Sequence, residues 1–200
     1  MVIKKQAIHP KILYYGNPVV LLTTANEDGT TNISPISSSW ALGHMVVLGL
    51  GTDGKAYENL ERHGECVLNL PGPDLWPHVE KLASCTGKEK VPLGKEAYGC
   101  ISIQDKFGYA GLTWQPSAKV DVEAVAECQL HIEAQVMHMR RPNYLEGVAI
   151  VEVEALAIHA HKHILEEGSH HINPSKFSPL IYNFRHYFQL GNELGKTVRA

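Results

Sequence analysis

The run from Gly147 to Ala160, GVAIVEVEALAIHA, is apolar on both faces of a strand for most of its length, broken by Glu152 and Glu154. That is more apolar surface than a one-sided barrel strand needs, and a second copy of the chain could bury the excess face. Its companion, Glu127 to Val136, alternates Cys128, Leu130, Ile132, Ala134 and Val136 with Glu, Gln and His. That is a period of two with one buried face. Shorter strands are predicted at Pro18 to Ala25, Thr31 to Ser37, Met45 to Leu50 and Cys66 to Leu70. The first two are joined through Asp28-Gly29, a hairpin signal because the turn needs positive φ. A helix is predicted over Lys55 to His63, with Ala56 and Leu60 one turn apart on its buried face. A second runs from an Asp74 N-cap to about Ala83, with Leu75, Val79 and Leu82 on one face and Pro77 tolerated in the first turn. Thr86 to Ala118 is turn-rich. Short antiparallel strands with few helices point to a mainly β fold, a barrel with peripheral helices. The absence of alternating βαβ units argues against a doubly wound sheet.

No repeat, charge run or Ser/Gly linker divides the chain, so residues 1–200 read as a single domain. Lys+Arg 18 against Asp+Glu 21 gives a net charge of −3, which argues against nucleic acid as a partner. No stretch approaches the ~20 apolar residues of a membrane helix, so no membrane partner is expected. The opening MVIKKQAIHPKIL lacks an apolar core and reads as no secretory signal, and a cytoplasmic location is expected. Cys66, Cys85, Cys100 and Cys128 are widely spaced, which suits free thiols in a reducing compartment.

Chemistry concentrates between Asn32 and Lys55. A strand leads into Ser37-Ser38-Ser39-Trp40, which offers hydroxyls and amides beside one large ring. Gly51-Thr52-Asp53-Gly54-Lys55 then opens a helix, with unpaired N–H groups, a positive dipole end and a lysine available to an anion. Together these describe a pocket for a phosphorylated planar ligand. The competing reading is a strand exit with a packing tryptophan, followed by a plain turn. No P-loop is present.

The segments Pro18 to Thr24, Asp28-Gly29, Asn32-Ile33-Ser34-Pro35 with the following Ser-Trp, Lys55 to Leu60, and Cys66 to Pro71 resemble the flavin reductase-like FMN-binding split barrels. Asp105-Lys106-Phe107, Gly111-Leu112-Thr113, Ala126-Glu127-Cys128 and the closing Pro179 to Tyr182 and Tyr187 to Gly191 continue the resemblance in order, nearest to a flavoredoxin-like branch. It implies a Greek-key-like split β-barrel holding FMN, with flavin oxidoreductase or electron-transfer activity. The contacts it implies fall on Ser37, Ser38, Ser39, Thr52 and Lys55 for phosphate and ribityl chain, with Asn32 and Trp40 near the ring. Ser84 to Lys88 either caps the cofactor or ends the second helix. NAD(P)H is the implied transient donor, without a Rossmann GxGxxG, and a small molecule or protein the implied redox partner. The implied assembly is a homodimer with flavin at its interface. No catalytic side chain is assigned. The triple serine, and Asn183-Phe184-Arg185-His186 in place of a glycine-containing link, depart from the family pattern.

Two other classes compete. A non-enzymatic barrel could bind flavin or haem. Alternatively, His159, His161 and His163 alternate on one strand face and could ligate a metal, although a polar strand end has the same pattern. Tyr57, Trp76, Phe107 and Trp114 read as core aromatics before substrate-facing ones. Met137 and Met139 read as gap fillers.

Overall fold

The computed structural model describes residues 3–197. Its strands are β1 (Tyr15–Pro18), β2 (Val20–Ala25), β3 (Thr31–Ile36), β4 (Ser39–Leu42), β5 (Met45–Gly51), β6 (Glu65–Leu70), β7 (Cys85–Thr86), β8 (Ile101–Ser102), β9 (Trp114–Gln115), β10 (Ala124–Val125), β11 (Leu130–Arg140), β12 (Val148–Ala160), β13 (Ile181–Asn183) and β14 (His186–Phe188). The helices are α1 (Lys55–His63), α2 (Trp76–Ala83), α3 (Leu93–Glu96) and α4 (Lys106–Ala110). Seven strands pair in the order β3-β2-β6-β11-β12-β5-β4, every pair antiparallel, in a curled half-barrel. The fold is a mainly β split barrel with peripheral helices. None of the described helices is long and apolar enough to cross a membrane.

The expected helix α1 forms with the predicted bounds. It starts at Gly54 and stops where Gly64, at φ 77, donates its N–H to Leu60 O; a side chain there would strain the left-handed turn. Ala56, Tyr57 and Leu60 join Leu22, Leu48, Leu68, Val151 and Val153 in the barrel core. Each fully buried leucine there contributes roughly 2 kcal/mol. Buried Asn59 bonds Thr24 Oγ1 and Asn26 Oδ1, fixing the helix to the β2–β3 hairpin. A second core packs Val79 and Leu82 of α2 against Leu21, Ile33 and Phe107. Asp74 is not the N-cap of α2: Pro73–Leu75 form a 3-10 turn, so the α-helix begins at Trp76 and no side chain caps it.

Other expectations need correction. Trp40, read as lying in a loop, stands on edge strand β4. Strand β11 begins at Leu130, and its polar face is covered too: His131 and Glu133 are buried. Trp76, Trp114 and Met137 are about half exposed or more, whereas Tyr57 and Phe107 are core. Met137 sits at one bulge of the β11–β12 ladder and Leu156 at another, where the pairing steps from Ala134↔Ala155 to Glu133↔Ala157. A bulge reverses which residues face in. Ile158 therefore shares the inner face with Ile132, and His159 lies opposite His131 on the outer one.

That step dissolves the three-histidine strand face. The strand ends at Ala160, with His161 and His163 in and before a 3-10 turn. His159 instead contacts Glu133 at 2.9 Å, and His161 packs edge-on to His131. Among the described residues no three His, Cys, Asp or Glu side chains stand close enough to share a metal ion. Cys66, Cys85 and Cys128 are buried, Cys100 is half-buried, and all four are free.

Candidate functional site

Ile36 ends β3, and two serines carry the chain to β4. Ser38 O accepts the Gly49 N–H at 2.7 Å, and a Cβ on Gly49 would stand 3.0 Å from Ser38 Cβ, so β5 runs close beneath the serines. Above them lies a cavity of about 390 Å3, bounded by Ser37, Ser38, Glu80 of α2, and Tyr14, Tyr182 and Tyr187. Tyr14 Oη and Ser38 Oγ are 2.8 Å apart, and Tyr187 Oη donates to Glu80 at 2.9 Å. The tyrosines pack on one another, Tyr14 edge-on to Tyr182 at 5.6 Å and Tyr182 tilted on Tyr187 at 5.4 Å. Burial, then the Glu80 carboxylate, raises the Tyr187 phenol well above its ordinary value, so it remains a hydrogen-bond donor.

Pro35 and Ala83 also line a second, neighbouring basin of about 360 Å3, with Lys55, Thr86, Gly87, Lys95 and Lys106. Lys55 and Lys88 each bond one oxygen of Glu58, the first at 2.6 Å. Lys95 is 3.8 Å from Asp53. Burial, then the Lys55 and Lys95 charges, lowers the Lys88 pKa. Lys106 is buried, donates to Ile33 O at 2.8 Å, and is pushed down to about 8 by burial. Three lysines, Lys55, Lys95 and Lys106, thus line the basin, and no carboxylate among the described residues does. Glu58 and Asp53 pair with the first two from outside its lining, and a positive wall of this kind suits an anion. Behind them Asn32, 1% exposed, leaves Oδ1 with no hydrogen-bond partner among the described residues. Gly87 rests against it: a Cβ there would come within 2.4 Å of Asn32 Oδ1 and 3.2 Å of the Lys55 stem.

The predicted residues divide. Ser37 and Ser38 line the tyrosine-walled cavity, and Lys55 lines the neighbouring basin. Ser39 and Trp40 line a separate, more apolar cavity of about 620 Å3 on the other side, with Tyr15, Met45, Ile150 and Arg140; Ser38 reaches both. Asn32 forms the wall behind Gly87, and Thr52 lies in the turn before α1, its N–H on Gly147 O. Sequence reading gave no site role to Tyr14, Glu80, Lys95 or Lys106. Lys106 could have been found as the one charged residue of an otherwise apolar helix; Lys95 carried no signal.

A model described as "Flavin reductase like domain" matches residues 12–191. The chain is 55% identical over 206 residues to Uncharacterized protein YdfE of Bacillus subtilis (strain 168), covering 100% of this chain and 99% of that one. Among solved structures it resembles the flavoredoxin of Desulfovibrio vulgaris (Miyazaki F), TM-score 0.82 at 20% identity over 98% of this chain and 99% of that one. The flavoredoxin of Methanosarcina acetivorans superposes with TM-score 0.79 at 19% identity over 98% and 97%. Nitrilotriacetate monooxygenase component B from Bacillus cereus gives 0.73 at 17% over 94% and 89%.

Proposed function

The chain belongs to the flavin reductase-like family, whose chemistry is flavin-linked redox, and on that premise we propose that it is an NAD(P)H-dependent flavin oxidoreductase holding FMN in the groove between Ser37 and Lys106. The observation that carries this reading is the polarity of two neighbouring cavities that share Pro35 and Ala83: rings and hydroxyls line one, lysines the other. FMN is a planar ring joined through a hydroxylated chain to a dianionic phosphate, and the donors stand in that order. Lys55 and Lys88 would hold the phosphate, exchanging part of their hold on Glu58 for a doubly charged partner. The Thr86 hydroxyl supplies a further polar group at that end. Ser37, Ser38 and the tyrosine hydroxyls would orient the ring, while the aromatic stack keeps water from one side. When bound, FMN supplies a ring that accepts a hydride from a nicotinamide and passes electrons on. No protein side chain is required as nucleophile.

The same reading takes the protein to be a cytoplasmic homodimer. Trp40 on edge strand β4 is 55% exposed, and Tyr15 and Leu42 beside it are exposed further. A second copy would cover this apolar rim and close the 620 Å3 cavity. Light scattering of flavin-loaded protein is expected to give twice the chain mass, and a monomer mass removes the dimer.

Absorbance of the protein mixed with FMN tests the function. A bound-flavin spectrum that NADH or NADPH bleaches without oxygen, and that oxygen restores, supports the oxidoreductase. Bleaching by dithionite alone moves the protein to an electron carrier of the flavoredoxin kind. A Soret band in place of flavin overturns both.

A further inference from the structure

Strands β13 and β14 form a hairpin closed by the pair Asn183↔His186, with Phe184 and Arg185 as its two turn residues. Their φ values are 44° and 71°, and they are the only non-glycine residues at positive φ among the described residues. A two-residue turn with both centres left-handed suits the twist of a hairpin, but the residues that adopt it readily are Asn and Gly. A Cβ-bearing phenylalanine and arginine carry strain there, and an Asn-Gly turn would avoid it. Core packing does not explain them. Both side chains are exposed, Phe184 at 45%. Arg185 forms no ion pair among the described residues, although Glu80 lies near Tyr187 on the same sheet, its carboxylate taken by that hydroxyl.

The tip is nonetheless held in place. The Phe184 N–H donates to Tyr14 O at 2.7 Å, and Tyr14 and Tyr182 both line the cavity above Ser38. The Arg185 charge lies near enough to the Tyr182 phenol to oppose the rise that burial imposes on it. The tip that carries this exposed ring and unpaired guanidinium is thus tied by its backbone to the tyrosines that line the proposed site. A guanidinium selects anions and an aromatic face selects planar rings. We propose that Phe184 and Arg185 recognise the second reactant of this site, an anionic molecule bearing a planar ring, the chemical class of the nicotinamide dinucleotides. The inference rests on the flavin reading above and assigns the donor's specificity to this hairpin.

The test compares wild type with Phe184→Asn/Arg185→Gly and with Arg185→Lys. The double variant is expected to melt about 5 °C higher without ligand, because the strain is gone. It is expected to bind FMN as wild type does. Calorimetric affinity of the FMN-loaded variant for NADP+ and NAD+ should fall tenfold or more, with KM for NADPH and NADH rising to match. The uncharged hydride donor 1-benzyl-1,4-dihydronicotinamide should be affected far less. Arg185→Lys keeps the charge and should recover most of the affinity. Unchanged dinucleotide affinity in a stabilised double variant overturns the proposal, as does an equal loss for the uncharged donor. A double variant that scatters as a monomer where wild type is a dimer also overturns it, since the tip would then serve assembly. Wild type that binds FMN and is reduced by neither nucleotide overturns the donor class. Wild type that binds no flavin removes the flavin reading itself, a result separable from all the others.

Discussion

The lysine basin and the outer face of β11 are both polar regions pressed against the same half-barrel, and they are built in opposite ways. On β11, Glu133 is 2% exposed, and its carboxylate accepts the N–H groups of Ala118 and Lys119 and contacts His159. His131 is as well satisfied: the Gln115 amide donates to Nδ1 and Nε2–H donates to Val125 O, which assigns the neutral tautomer. Burial, then the neighbouring His161 and His159, lowers its pKa and favours that form. In the basin, by contrast, Lys55, Lys95 and Lys106 line the cavity and no carboxylate among the described residues does. Buried polar groups satisfied within the chain hold a fold together. Cations gathered on a cavity wall suit a ligand from outside. The histidine-rich region, which the sequence offered only as a competing metal site, is satisfied within the chain, and the basin is the better place for a ligand.

Four substitutions would break or sharpen that contrast. Glu133→Ala leaves two amides without an acceptor under the Gln115–Val125 segment, and urea unfolding is expected to lose on the order of 4 kcal/mol. Its affinity for FMN should stay as in wild type; a large loss there would erase the distinction between the regions. Lys106 comes next. Its pKa of about 8 in the fold lies below the ordinary 10.5, so the unfolded chain binds more protons between those values. Stability should therefore rise as pH goes from 8 to 10.5, by roughly 3 kcal/mol, with the penalty fully present below pH 8. Lys106→Met should flatten that slope, and an unchanged profile would show that the lysine is not buried as drawn. Lys55→Ala should weaken FMN about tenfold or more, ~1.5–3 kcal/mol, and riboflavin far less, because only FMN carries the phosphate. Equal weakening of both flavins, measured by fluorescence titration, would take Lys55 away from the phosphate. The smallest change is His159→Gln: its ring is half exposed, so losing the Glu133 contact should cost under ~1 kcal/mol in the same urea assay.

Legibility varied along the chain for identifiable reasons. Helix α1 was readable to the residue because Gly54 and Gly64 bracket a short amphipathic run and each end is a local matter. The β2–β3 turn was readable because Asp28 accepts the Thr30 N–H within the turn itself. Of the proposed site, Ser37, Ser38 and Lys55 could be named because one continuous stretch supplies them. Lys95, Lys106, Tyr14 and Tyr182 come from segments far apart in sequence, and nothing local marks them as neighbours. The shared histidine face considered from the sequence is absent for a definite cause. A strict two-residue period carries Val151 and Val153 onto the face of His159, and a single extra residue at Leu156 reverses it.

The sequence by itself determined that this chain is a mainly β barrel with short helices, and it supplied the family resemblance. Strand periodicity, caps and turns depend on residues within a few positions of one another, so they survive in the linear order. Tertiary structure alone decided which polar groups were satisfied and which were not. Glu133 and His131 read as a solvent face until the Gln115–Val125 segment covered them. Asn32 read as a ring contact, and its place behind Gly87 appears only when the turn after α2 is brought against β3. Desolvation and hydrogen-bond satisfaction are set by whatever packs on a group from elsewhere in the chain, and no window of sequence contains that neighbour.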